Sequence, residues 1–247
     1  MNLDDVEDID KIVYLIGTDE TMAEINGSNI QKFQCRIIEW FVLNGRKFPW
    51  RDSRDPFGVL VAEIVLKLTG AWKARVAYDT IMQRYGTPAL MANADLKGLL
   101  EIFRPLGLHS RAESLIEIAR QLNTEFGGVV PQEYSELTKI KGVGKYIANA
   151  ILCLAYNKRV PLVDESVSRV LNRCLGIHST KEAYADKELW TRAEELLPEK
   201  DCREYNLGLI DIGAIICQYK KTLCDSCPVV KICLNHKGKA KMRKSIE

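Results

Sequence analysis

With 247 residues, 47% of them hydrophobic, the chain can build one large domain or two small ones around a sizeable core. No apolar run approaches the roughly 18 residues needed to cross a membrane. The N-terminus, Met1-Asn2-Leu3-Asp4-Asp5, is acidic where a signal peptide is basic, so a cytoplasmic, nucleoid-associated protein with no export signal is expected. The net charge of +2 conceals an asymmetry: residues 1–30 carry eight acidic side chains against Lys11, leaving 34 basic against 25 acidic in the rest. That remainder suits a polyanionic partner.

Residues 1–30 set Ile9, Ile12, Val13, Leu15 and Ile16 in an acidic background and read as an extension without an assigned role. Phe33, Ile37, Ile38, Trp40, Phe41 and Val42 predict a buried helix over 30–43. A basic, aromatic, proline-broken loop, Gly45 to Arg51, follows. The run 57–68 predicts an apolar helix with Glu63 between Ala62 and Ile64. A glutamate there lies on the solvent side, or it is buried and needs a partner or a task. After Lys67-Leu68-Thr69-Gly70, the helical pattern continues over 69–84 with basic residues at Lys73 and Arg75. Gly86-Thr87-Pro88 breaks it, two short helical segments follow, and Leu106 to Ala112 turns into a helix ending at Phe126. By itself, Leu108 reads as a hydrophobic contact at a helix end. No repeat, low-complexity segment or credible sheet is present, and the class is all-α.

After the Gly127–Pro131 break, Leu137 and Ile140 end an apolar turn, and Lys141-Gly142-Val143-Gly144 follows. Helical spacing resumes from Lys145 to Tyr156, with Ile147, Ala148, Ala150, Ile151 and Leu154 on one face. This is a helix–glycine turn–helix hairpin. Its glycines permit positive φ and close approach, and the second helix presents free amides where an anion fits. Such a turn grips a phosphate backbone without reading sequence. Asp164, just past Val160-Pro161-Leu162-Val163, can cap a helix over 165–173.

The eight cysteines are not placed like a disulfide set. Cys35, Cys153 and Cys174 read as small core residues, and Cys202 is ambiguous. Cys217, Cys224, Cys227 and Cys233 have the spacing C-x6-C-x2-C-x5-C. Four thiolates in a short loop satisfy either a tetrahedral zinc ion or an iron–sulfur cubane.

Ile140-Lys141-Gly142-Val143-Gly144-Lys145, with Val163-Asp164 and Arg169-Val170, resembles the helix-hairpin-helix DNA glycosylase superfamily, from about Phe33 to Cys233. Lys145-Tyr146 and Tyr205-Asn206-Leu207-Gly208 are most similar to the Mig-type T:G mismatch glycosylases, with the MutY-type adenine glycosylases next. The resemblance implies a two-lobed helix-hairpin-helix glycosylase fold. Residues 48–158 would form a six-helix barrel domain carrying the hairpin. Residues 31–47 and 159–247 would form a helical iron–sulfur domain, with duplex DNA in the cleft of a monomer. It also implies that the four cysteines hold a [4Fe–4S] cluster, whose 6-2-5 spacing they match.

The same resemblance assigns roles. Asp164 stands for the carboxylate that supports positive charge on the sugar as an N-glycosidic bond breaks. Tyr146 occupies the place of a Schiff-base lysine in bifunctional relatives; a phenol cannot form that adduct, so strand cleavage is not expected. Glu63 lines the base pocket as the acid for the leaving base, a task that burial would favour by raising its pKa. Lys67 and Leu68 stand where side chains enter the duplex, and Leu108, beside His109, is a wedge in the base stack. Lys141, Gly142, Val143, Gly144 and Lys145 contact backbone phosphates. Two departures qualify the match: Lys67-Leu68 replaces the Gln-Gln of MutY-type enzymes, and Ser166 replaces the Asn usual two residues after the catalytic aspartate. The implied substrate is a mispaired thymine or uracil opposite guanine, with adenine opposite 8-oxoguanine as the alternative. A catalytically inactive DNA-binding protein is the non-enzyme alternative.

Overall fold

The computed structural model describes residues 27–237 apart from Leu68, Leu108 and Thr180. Most of the acidic extension, and the C-terminal residues from 238 on, lie outside the described residues. In chain order the helices are α1 (Gly27–Asn44), α2 (Pro49–Asp52), α3 (Pro56–Leu66), α4 (Ala71–Tyr85), α5 (Pro88–Ala92) and α6 (Leu96–Phe103). They continue as α7 (Ser110–Phe126), α8 (Tyr134–Leu137), α9 (Lys145–Leu154), α10 (Glu165–Leu175), α11 (Lys187–Glu195) and α12 (Cys202–Asp211). No strand forms among the described residues; there is one isolated antiparallel bridge, Cys217 to Thr222. The all-α expectation is met.

The chain divides into two units, one drawn from 1–45 and 161–247 and the other from 46–160. In the second, α3 is central: Phe57, Val59, Leu60, Val61, Ile64 and Val65 are all buried, and the helix packs on α4, α7 and α9. Proline opens α2, α3 and α5, where its missing N–H costs no helical bond. Asp55 caps α3 by accepting from the amides of Phe57 (3.1 Å) and Gly58 (2.9 Å). Phe48 stacks on Trp50 at 4.8 Å, and Tyr78 meets Trp50 edge-on at 5.2 Å, sealing one side of α3.

The structure corrects one element. α3 stops at Leu66, where Lys67 opens a turn, and α4 begins only at Ala71, so the run is not one continuous helix. The amide of Thr69 closes that turn on the Leu66 carbonyl at 2.9 Å, and Gly70 then caps α4, its carbonyl accepting from Lys73 and Ala74. A capping glycine there ends one helix and starts another, which apolar periodicity alone does not reveal.

In the other unit α1 crosses α12 at Gly208, where an added Cβ would meet Ile37 Cγ2 at 2.6 Å. Phe33 and Ile37 of α1 are fully buried, whereas Ile38, Trp40 and Phe41 are half-buried and Val42 is exposed, so the buried stripe is narrower than the sequence predicts. Cys35 is exposed on that helix, not a core residue; Cys153 and Cys174 are buried as expected. α12 runs directly into a π-helical turn, Ile212–Ile216, that delivers Cys217.

Candidate active site

The hairpin turn is anchored from below. Leu137, Ile140 and Val143 are buried, while Lys141, Gly142, Gly144 and Lys145 are exposed. Gly142 has φ of +94°, so its glycine is required by the backbone. Gly144 is extended, with φ −88° and ψ −178°, and needs no left-handed conformation. A Cβ at Gly144 would meet nothing within 4 Å, which leaves open space in front of the α9 amides. Gln121 of α7 holds the turn: its Oε1 accepts from the Lys141 amide at 2.9 Å and its Nε2 donates to the Lys139 carbonyl at 3.2 Å. No pattern in the sequence marks Gln121 for this role.

Glu63 and Tyr146 are both half-buried, on the packed pair α3 and α9 of one unit. Lys67 is exposed just past α3, and His109 is exposed just before α7. Leu68 and Leu108, the expected duplex-entering residues, lie outside the described residues.

Asp164 belongs to the other unit and caps α10, as the sequence predicts. Its Oδ1 accepts from the Val167 amide and from the Ser166 hydroxyl, both at 2.7 Å. Both bonds end on one oxygen, so Oδ2 can serve another partner. Ser166 in turn sits against Gly213 of the π-helical turn, where an added Cβ would come within 2.9 Å of the Ser166 Cβ and carbonyl oxygen.

α10 also reaches the cysteine loop. Arg169 Nη2 donates to the Gly213 carbonyl and its Nε to the Cys217 carbonyl, both at 2.9 Å. One turn later, Arg173 Nη1 donates to the Gln218 carbonyl at 2.8 Å and approaches Cys217 Sγ at 3.5 Å. Arg169 lies within the sequence motif and Arg173 outside it; their four-residue spacing on one helix face is the signal that links them.

Cys217, Cys224, Cys227 and Cys233 line a single cavity, together with Cys174, Ile216, Leu223 and Val230. The Cys174 thiol hydrogen-bonds Cys233 and draws its pKa down while Cys174 itself is pushed up; burial raises Cys227 to about 11. Among the described residues, no three His, Cys, Asp or Glu side chains converge tightly enough to share a single metal ion.

The sequence profile described as HhH-GPD superfamily base excision DNA repair protein matches residues 61–195. The thymine-DNA glycosylase of Aeropyrum pernix is 35% identical over 218 residues, covering 86% of this chain and 98% of its own. The thymine/uracil-DNA glycosylase of Methanothermobacter thermautotrophicus is 36% identical over 213 residues, covering 86% and 96%. A solved thermostable thymine-DNA glycosylase superposes with a TM-score of 0.79 at 35% identity, covering 85% of this chain and 97% of that one. The profile match spans both the helix-hairpin-helix and the Asp164 cap, and on these grounds the chain belongs to the HhH-GPD superfamily of base excision DNA repair proteins.

Proposed function

We propose that this DNA glycosylase hydrolyses the N-glycosidic bond of thymine or uracil mispaired with guanine in duplex DNA, leaving an abasic site without strand cleavage. The arrangement of Asp164 carries the chemical reading: two hydrogen bonds fix one carboxylate oxygen and leave the other for the reacting sugar. Relatives at 35–36% identity named as thymine and thymine/uracil enzymes support the choice of base. As the bond breaks, Oδ2 of Asp164 stabilises positive charge on the sugar or orients the attacking water. Glu63 protonates or hydrogen-bonds the departing base. Tyr146, having no amine, forms no covalent adduct. Extrusion of the nucleotide costs least at a mispair, which makes mispaired bases the preferred targets.

The hairpin, Lys141 to Lys145, holds the phosphate backbone through the α9 amides and two lysines; Lys67, Leu68, Leu108 and His109 act at the duplex. In this reading 48–158 is the barrel domain, and 31–47 with 159–247 is the iron–sulfur domain. The cavity chemistry supports a [4Fe–4S] cluster on Cys217, Cys224, Cys227 and Cys233. Its donor set is wholly thiol, and no carboxylate or imidazole lines it. The choice of a cubane over a tetrahedral zinc ion rests on the C-x6-C-x2-C-x5-C spacing, in which only Cys224 and Cys227 form the short knuckle that zinc sites usually pair. The cluster would supply rigidity, holding the loop that Arg169 and Arg173 grip from α10.

The test is single-turnover excision on T:G, U:G and A:8-oxoguanine duplexes beside Asp164→Asn. Excision at T:G or U:G, lost in the variant, supports the reading. Excision only at the adenine pair moves the activity to that base, and binding without excision leaves a DNA-binding protein.

A further inference from the structure

Arg111, the second residue of α7, is 6% exposed. Its Nη1 donates to the Val65 carbonyl at 3.0 Å and to Thr69 Oγ1 at 3.2 Å. Its Nη2 is shielded from solvent and has no hydrogen-bond partner. No carboxylate pairs with the guanidinium among the described residues. Burial pushes its pKa below the ordinary value, yet a guanidinium stays charged at neutral pH. A buried charge with an unmet donor is costly, and an apolar side chain would fill the space better if packing were the only need.

The placement of the bonds indicates the need. Val65 lies at the end of α3, two residues beyond Glu63, and Thr69 lies in the turn that follows. One side chain therefore ties the 67–70 turn to the first turn of α7, beside His109. The planar fork keeps Nη2 next to Nη1, so the spare donor stands at the same junction.

We propose that Arg111 is a positioning residue for the 67–70 turn, and that its Nη2 is reserved for an oxygen of the bound DNA. This inference rests on the glycosylase reading. Because Nη2 is shielded here, the contact forms when the turn shifts on binding, and the complex relieves a donor that the free protein leaves unmet. The chemistry is an acceptor oxygen, from either a phosphodiester or a base edge.

The test measures dissociation constants of wild type, Arg111→Met, Arg111→Lys and Thr69→Val for mispaired and matched duplexes across a salt series, with thermal unfolding and single-turnover rates alongside. Arg111→Met is expected to weaken binding about 10- to 100-fold, with Arg111→Lys intermediate. A phosphate contact lowers the salt slope of Arg111→Met by about 0.9. A base contact leaves that slope unchanged and confines the loss to the mispaired duplex. Should Arg111→Met fail to fold, Arg111→Lys carries the comparison. Wild-type affinity in Arg111→Lys at every salt concentration overturns the proposal. So does a loss no greater than that of Thr69→Val, which removes a partner of Nη1 and leaves Nη2 untouched. A wild type that binds DNA but excises nothing refutes the glycosylase reading while the affinities still decide Arg111; a wild type that binds no DNA refutes both.

Discussion

Gly213→Ala should damage both stability and excision through a single steric contact. The added Cβ would lie 2.9 Å from the Ser166 Cβ, 2.9 Å from its carbonyl oxygen and 3.1 Å from its carbonyl carbon. Two of those atoms are backbone, so no rotamer change relieves the clash. The Arg169 bond to the Gly213 carbonyl resists separation of the two segments. The strain must therefore pass into the π-helical turn or the first turn of α10, where Ser166 holds Oδ1 of Asp164 at 2.7 Å. Overpacking of this kind costs about 1–3 kcal/mol. In a domain of this size that lowers Tm by roughly 2–12 °C. A displacement approaching 1 Å at Asp164 lowers the single-turnover rate by up to about 100-fold. Thermal unfolding and single-turnover excision read the two effects on one preparation. A variant with wild-type Tm and rate would show that Gly213 does not constrain the Asp164 turn.

Removing the α3 cap by Asp55→Ala frees two amides and should cost about 1 kcal/mol, measurable as a lower midpoint in urea with an unchanged m value. Burial first, then the charges of Asp55 and Asp79, raises Tyr78 from 10.0 to about 12. Its protonated form is thus favoured on folding. This stability is fully present below pH 10 and is lost as pH rises toward 12, at most about 2.7 kcal/mol. Tyr78→Phe should flatten that alkaline loss in denaturant titrations. Cys224→Ser should abolish visible absorbance and bound iron in purified protein; zinc found in place of iron would contradict the cluster proposal. Wild-type protein incubated with substrate and borohydride should give no covalent DNA adduct on a denaturing gel, since Tyr146 offers no amine.

Apolar spacing makes much of the helical framework legible in the sequence. α7, α9 and α10 lie where periodicity, glycine breaks and the Asp164 cap predict them. The 67–70 turn was hidden because α3 and α4 are joined by residues that do not interrupt a helical pattern, and only the hydrogen bond to Leu66 marks the break. Cys35 is exposed where its setting suggests the core, because a small apolar residue on an amphipathic helix lies on either face at little cost. Of the two hairpin glycines, Gly142 uses the positive φ that the sequence permits, whereas Gly144 is extended and offers only room for close approach. Gln121 and Arg111 are not legible for another reason. Each acts through a backbone amide, a carbonyl or a hydroxyl distant in sequence, and such pairings leave no local signature.

The central claim is tested most directly by single-turnover excision of thymine from a T:G duplex, read with and without alkali, for wild type and Asp164→Asn. The account predicts alkali-dependent cutting by the wild type and its loss in the variant with DNA binding retained. Equal excision by Asp164→Asn, or strand cleavage without alkali, would contradict it.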